Sequence, residues 1–122
     1  MIGIGCDLAE VERIRHAIER KGFKERVFTR EEIHYCTGPH GDKAQSFAAR
    51  FAAKEAFLKA VGTGLRGGGQ LTEISVTNDE LGKPELKVTG YYAAYAEKLG
   101  VKKIHLTLSH TASTAMAVVM LE

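Results

Sequence analysis

The sequence has 122 residues, 44% of them apolar and 26% charged, with only two prolines. That length suits one compact domain able to bury roughly two-thirds of its unfolded surface without disulfides or a structural metal. Seventeen Lys and Arg against fifteen Asp and Glu leave a formal charge of +2, far short of the excess that marks a general nucleic-acid binder.

Residues Ile2 to Cys6 read as a short buried strand, after which Asp7 and Glu10 form a D-x-x-E capping pattern that opens a helix. Leu8, Val11, Ile14 and Ile18 follow at helical spacing, and Gly22 is the expected stop. Thr29 and Glu32 repeat the capping logic for a second, shorter helix from Arg30 to Cys36. Gly38-Pro39-His40-Gly41 predicts a loop. From Lys43 to Val61 there is no Gly or Pro, Ala is abundant and Gly62 follows, which predicts the longest helix of the chain. Gly62 to Gly69 carries five glycines, including Arg66-Gly67-Gly68-Gly69, and reads as a flexible loop. Strands are expected over Glu73–Thr77 and Glu85–Thr89, joined by a turn at Leu81-Gly82-Lys83-Pro84. A helix from Tyr91 to Leu99 closes at Gly100, and strands at Lys103–Ser109 and Ala115–Leu121 flank the turn His110-Thr111-Ala112-Ser113. Early helices with late strands predict an α+β fold, helices packed on a largely antiparallel sheet, in a single domain over residues 1–122.

Cys6 and Cys36 are too few for a disulfide framework and lack C-x-x-C spacing, so both are expected to be buried thiols. Met1 to Gly5 shows no basic n-region and no long apolar run, so neither a secretory signal nor a membrane anchor is expected, and the cytoplasm is the default location.

Phe47, Phe51, Phe57, Leu58 and Val61 fall on one arc of the central helix, which should face the core. Arg50 and Lys54 project into the same arc, with Glu55 and Lys59 at its edge. On one reading the cations snorkel and Glu55 and Lys59 form an ordinary i,i+4 surface pair. On the other, Arg50, Lys54 and Lys59 meet a polyanion in a cleft while Glu55 meets a metal, since Mg²⁺ is held by one or two carboxylates plus substrate phosphates. Asp7 is the candidate second carboxylate, with N-capping as its alternative role. Ser109, His110 and Thr111 add three phosphate-compatible side chains at a strand end. Arg13, His16, Arg20 and Lys24 recur at three- and four-residue steps and form one basic stripe if the first helix continues past Gly22, with Arg26 as its extension.

Gly3-Ile4-Gly5-Cys6-Asp7 with Arg13-Ile14, then Phe28-Thr29-Arg30-Glu31-Glu32, then Arg50-Phe51-Ala52-Ala53-Lys54-Glu55-Ala56 resemble the holo-acyl-carrier-protein synthases. These are the short 4'-phosphopantetheinyl transferases of bacterial fatty acid synthesis. Order and spacing match along nearly the whole chain, through Gly62-Thr63-Gly64, Gly82-Lys83-Pro84 and Ser109-His110-Thr111, with His34 standing where relatives can carry an acidic residue. The resemblance implies transfer of the phosphopantetheine arm of coenzyme A to a serine of acyl carrier protein, releasing 3',5'-ADP. It implies that Asp7 and Glu55 hold Mg²⁺, that Lys59 contacts the pyrophosphate, and that Arg50 and Lys54 support them. Lys43 is implied to meet the 3'-phosphate, while Gly62, Pro84, Ser109, His110 and Thr111 line the coenzyme A groove.

The same resemblance implies a homotrimer with sites between subunits. It also gives the basic stripe a purpose, docking an acidic helical carrier protein. Glu55, a metal-bound water and His110 remain candidates for accepting the serine proton. The rival reading, a non-enzymatic nucleotide or RNA module, lacks interleaved exposed aromatics, since there is no Trp and three of the four Tyr are Tyr91, Tyr92 and Tyr95.

Overall fold

The computed structural model describes residues 1–64 and 67–122; Arg66, within the expected glycine-rich loop, lies outside the described residues. Strand β1 (Gly3–Glu10) leads directly into helix α1 (Val11–Glu19), followed by α2 (Phe23–Val27) and α3 (Arg30–Cys36). A minimal hairpin of β2 (Thr37–Gly38) and β3 (Gly41–Asp42) replaces the expected loop before the central helix α4 (Ala44–Val61). Then come β4 (Ile74–Asn78), β5 (Pro84–Val88), α5 (Gly90–Lys98), β6 (Ile104–His110) and β7 (Thr114–Leu121). Three strands form an antiparallel sheet in the order β1-β7-β6, and β4 pairs antiparallel with β5. This is the expected α+β arrangement, with α4 lying across the three-stranded sheet.

Several local signals act as expected. Thr29 Oγ1 accepts the Glu32 amide at 3.1 Å while the Glu32 carboxylate accepts the Thr29 amide at 2.9 Å, so α3 begins with a complete capping box. Gly62 closes α4 at a left-handed φ of 83°.

The start of the chain departs from expectation. β1 runs on to Glu10, so Asp7 is neither a strand end nor a helix cap; Glu10 occupies the N-cap position of α1 without a side-chain hydrogen bond. The alternation is also inverted. Gly3, Gly5, Asp7 and Ala9 point inward, whereas Ile4, Cys6 and Leu8 are exposed. Cys6 is therefore not a buried thiol; Cys36 is, and burial pushes its pKa up to about 11.

Packing explains the inversion. A Cβ on Gly3 would overlap the Ala60 carbonyl, and one on Gly5 would overlap the Ala56 carbonyl and come within 2.7 Å of the Ala60 nitrogen. The backbone of β1 lies directly on the backbone of α4, which only glycine permits. α4 answers with Ala48, Ala52, Ala53 and Ala56, all fully buried, and is covered on nearly every side rather than on one arc.

The helix break after Glu19 corrects another expectation. Arg20, not Gly22, is the C-cap of α1, and Gly22 at φ 83° starts α2. The basic stripe is thus interrupted, leaving Arg13, His16 and Arg20 on α1. Lys24 turns to Asp42 at 3.0 Å, and Arg26 folds back over Gly22.

Gly5→Ala is expected to destabilise the chain by about 3 kcal/mol or more, because the added methyl meets rigid helix backbone rather than a movable side chain. Urea unfolding measures the loss; a cost below about 1 kcal/mol would show that β1 does not bear on α4 this closely.

Candidate active site

The same close approach brings together three side chains that the sequence spreads over 52 positions. Asp7 is the third inward position of β1 and is only 18% exposed at its side chain, and its Oδ1 accepts Lys59 Nζ at 2.9 Å. Lys59 is otherwise in solvent, and its bond to Asp7 raises its pKa. Glu55 lies on α4 one turn before Lys59, half-buried, and makes no side-chain hydrogen bond among the described residues. Burial first, then the neighbouring Asp7 charge, raises the Glu55 pKa, with Lys59 partly opposing. The i,i+4 pair between Glu55 and Lys59 is not formed; Lys59 reaches across to the strand instead.

Two carboxylates on adjoining elements, one of them half-buried with no hydrogen-bond partner among the described residues, make a site that favours a cation. Among the described residues no group of three or more His, Cys, Asp or Glu side chains converges, so no standing zinc-type cage exists. The donor set fits Mg²⁺, which takes one or two carboxylates and completes its shell with water and substrate phosphate.

The other cations of α4 behave differently. Lys54 is 0% exposed, and its ammonium donates to Glu32 Oε1 at 2.7 Å, to the Leu71 carbonyl at 3.1 Å and to the Ile74 carbonyl. Glu32 Oε2 in turn accepts the Val76 amide at 2.9 Å. Burial lowers the Lys54 pKa, opposed by Glu32. Lys54 is thus an interior brace between α3, α4 and β4, and the expected contact with a polyanion is corrected: all three of its N–H donors are spent inside the core.

Arg50 is 3% exposed and donates to Asn78 Oδ1 at 2.6 Å, while its Nε is buried without a partner among the described residues. Its guanidinium lies 4.1 Å from the centre of the Tyr35 ring, and Lys43 Nζ lies 5.0 Å from the same ring. Pro84 pairs with Asn78 across β4 and β5, so Lys43, Arg50 and Pro84 form one neighbourhood.

Ser109, His110 and Thr111 sit at the β6–β7 turn, all exposed. His110 Nδ1 is 3.3 Å from the Thr111 carbonyl, and Thr111 Oγ1 accepts the amides of Ser113 and Thr114. This turn meets Gln45 at the start of α4, at 3.5 and 3.4 Å. Glu55 is ten residues further on, about 15 Å along the helix. One chain unites Asp7, Glu55, Lys59 and the Gly62 cap on the α4 side of the sheet, whereas Ser109, paired with Met116 in line with the exposed Leu8, lies on the opposite side.

Arg13, His16 and Arg20 rim an open groove of about 690 Å³ floored by Leu8, Ile14, Phe23 and Phe51. The sequence shows the rim but not this apolar floor, because Leu8 reads as part of the first helix and Phe51 falls on the core-facing arc of the central helix. It also missed Tyr35 and Asn78, which carry no motif. Tyr91, Tyr92 and Tyr95 form an intramolecular cluster with Tyr92 fully buried, so they offer no stacking platform for bases.

The 4'-phosphopantetheinyl transferase superfamily model matches residues 3–119. The chain belongs to this superfamily, and it is an enzyme of that transferase class. It is 50% identical to a holo-[acyl-carrier-protein] synthase of Solibacter usitatus, with 100% of this chain and 98% of the relative covered. Its fold matches the crystal structure of holo-[acyl-carrier-protein] synthase from Neisseria meningitidis at a TM-score of 0.87 and 37% identity, covering 100% and 98% of the two chains. The synthase from Bacillus anthracis, solved in complex with CoA (3',5'-ADP), matches at a TM-score of 0.79 and 35% identity over 98% and 95%.

Glu55→Gln is expected to raise Tm by a few degrees at neutral pH. With a folded pKa above the unfolded one, Glu55 favours folding while protonated and loses that contribution as pH rises through its folded pKa. The advantage of the variant should therefore vanish at pH values below the ordinary carboxylate range. Calorimetric melts across pH measure it, and a variant less stable than the parent at neutral pH would contradict the placement of Glu55.

Proposed function

We propose that this chain transfers the 4'-phosphopantetheine group of coenzyme A to a serine of apo acyl carrier protein, giving the holo carrier and 3',5'-ADP, with Mg²⁺, in fatty acid biosynthesis. The observation that carries the proposal is the convergence of Asp7, Glu55 and Lys59 on the contact between β1 and α4. On this reading the serine oxygen forms a bond to the β-phosphorus of the donor as the bond from that phosphorus to the bridging oxygen breaks. Asp7 and Glu55 would hold Mg²⁺, which when bound neutralises charge on the pyrophosphate. Lys59, a long and mostly exposed side chain, exchanges Asp7 for a phosphate oxygen as a point charge.

Glu55, or a water it orients, takes the serine proton, since a carboxylate at the Mg²⁺ site lies near the transferring phosphorus; His110 is the alternative acceptor. Lys43 and Arg50 receive the nucleotide phosphates, with the 3'-phosphate at Lys43. Gly62, Pro84, Ser109, His110 and Thr111 wall the groove. We keep the reaction in the cytoplasm, a reading with which the two free thiols agree. Among the described residues no helix is long and apolar enough to cross a membrane.

Asp7→Ala and Glu55→Ala are each expected to lower transfer by at least about a hundredfold while leaving the circular dichroism spectrum unchanged. Mass spectrometry of a purified apo carrier incubated with coenzyme A and Mg²⁺ measures the product. Near-parental activity in either folded variant would refute the two-carboxylate site.

The proposal includes a homotrimer. The outer face of the sheet carries Ile4, Cys6 and Leu8 beside Met116, Val118 and Met120, a continuous apolar surface on one chain. A partner covering it also offers a route for Ser109, His110 and Thr111 of one chain to meet Asp7 and Glu55 of another. Light scattering should give three chain masses, and Ile4→Glu with Leu8→Glu should give one chain mass together with lost transfer. A fully active parent monomer at nanomolar concentration would exclude a shared site.

The carrier is proposed to dock on the groove rimmed by Arg13, His16 and Arg20, its acidic helix meeting the rim and an apolar side chain meeting Phe23 and Phe51. Lys24 and Arg26, beyond the helix break, contribute at the margin. Reversing Arg13 and Arg20 to Glu should raise the carrier KM by roughly tenfold or more, flatten its salt dependence and leave coenzyme A binding unchanged. Equal loss of coenzyme A affinity would show that the two surfaces are not separate.

A further inference from the structure

Tyr35 belongs to no motif, yet it organises two of the cations that the proposed reaction needs. Its ring sits 4.1 Å from the Arg50 guanidinium carbon and 5.0 Å from Lys43 Nζ, while the residue itself is 47% exposed. Arg50 and Lys43 have no carboxylate within salt-bridge reach among the described residues, in contrast to Lys24, Lys54 and Lys59. Arg50 is held instead by two neutral neighbours, the Tyr35 face and Asn78 Oδ1 at 2.6 Å, and its Nε stays buried and unpaired among the described residues. Asn78 Nδ2 donates to the Gly82 carbonyl at 3.0 Å, tying this cluster to the turn before Pro84.

A guanidinium deprived of both water and counter-ion is a costly arrangement unless an anion completes it. An aromatic face is well suited to carry it meanwhile, because the ring quadrupole attracts both cations without neutralising either. A carboxylate in the place of Tyr35 would hold the same two side chains and cancel their charge toward a ligand.

We propose that Tyr35 is a positioning residue for the donor's nucleotide phosphate: its ring aligns Arg50 and Lys43 and so sets the preference for a donor that carries a 3'-phosphate. The proposal deepens the donor reading given above and rests on it. Because half of Tyr35 is in solvent, replacing its ring does not open the core.

The test compares Tyr35→Leu and Tyr35→Phe with the parent, using coenzyme A and 3'-dephospho-coenzyme A as donors. Tyr35→Leu is expected to raise the coenzyme A KM roughly five- to tenfold. Its kcat should stay within about twofold and its KM for the dephospho donor should not move. Tyr35→Phe, which keeps the ring, should restore the preference. An equal loss with both donors, no loss with either, or a Phe variant that behaves like Leu would overturn the role of the ring. Calorimetric titration with adenosine 3',5'-bisphosphate and with AMP separates the two readings. A parent chain that fails to transfer from coenzyme A overturns the donor reading. A Leu variant that keeps the parental preference for the bisphosphate overturns the role of Tyr35, whether or not transfer occurs.

Discussion

Backbone contact between β1 and α4 is the constraint on which the rest of the molecule depends. Gly3 and Gly5 have no side chain, so the strand settles against the carbonyls of Ala56 and Ala60 at a distance that any larger residue would forbid. Asp7, the next inward residue, is thereby brought to the flank of α4 where Glu55 and Lys59 project. The same choice has a second effect. Since the inner face of β1 accepts only small residues, its large apolar side chains are turned outward, where Ile4 and Leu8 stand beside Met116 and Met120 of β7. The site and the sticky outer face are thus two results of one packing decision.

Three cations on α4 show how neighbours decide what a charge does. Lys54 loses its water entirely, and the cost is offset by three acceptors, one of them the Glu32 carboxylate. Glu32 simultaneously caps α3 and receives the Val76 amide, so the ion pair fastens a helix start, the central helix and a strand at a single point. Lys59, one turn beyond Glu55, keeps most of its side chain in water and has one acceptor among the described residues, leaving two N–H donors for a ligand. Arg50 stands between these cases, buried like Lys54 but incompletely bonded.

How much could be read without coordinates follows from the range of each interaction. The Thr29–Glu32 capping box is local, spans three residues and is formed as expected, and α4 is found to within one residue because composition and its glycine stop agree. The second duty of Glu32 is invisible in sequence, because Lys54 and Val76 come to it from 22 and 44 positions away. Periodicity misleads where burial is not one-sided. α4 is enclosed almost all round, so its phenylalanine arc marks no special face, and β1 follows the alternation of a strand whose small residues point inward. The D-x-x-E pattern at Asp7 and Glu10 failed for a related reason: β1 stays paired with β7 as far as Glu10, and that ladder outweighs one capping hydrogen bond. Asp7 and Glu55 were candidate carboxylates from residue type and position alone, with the family resemblance favouring that reading over capping and surface pairing, whereas Tyr35 and the apolar floor under Arg13 and Arg20 had no signal to find.

The division of the groove residues has a physical origin in the two faces of the sheet. Ser109 shares a ladder rung with Met116 and Leu8, only about 10 Å across the sheet from the strand that carries Asp7, but Asp7 faces α4 and Ser109 faces the other way. No rotamer change closes that separation, because the sheet itself stands between the two side chains. Ser109 therefore lies on the outer side of the sheet, the same side that presents Ile4 and Leu8. Covering that apolar face with a copy of the chain would remove unfavourable exposure and bring a second set of turn residues to the edge of the sheet. On the proposed reading, oligomer and active site are then not separate acquisitions: the residues that make the monomer incomplete as a catalyst are arranged on the surface that makes it incomplete as a folded body.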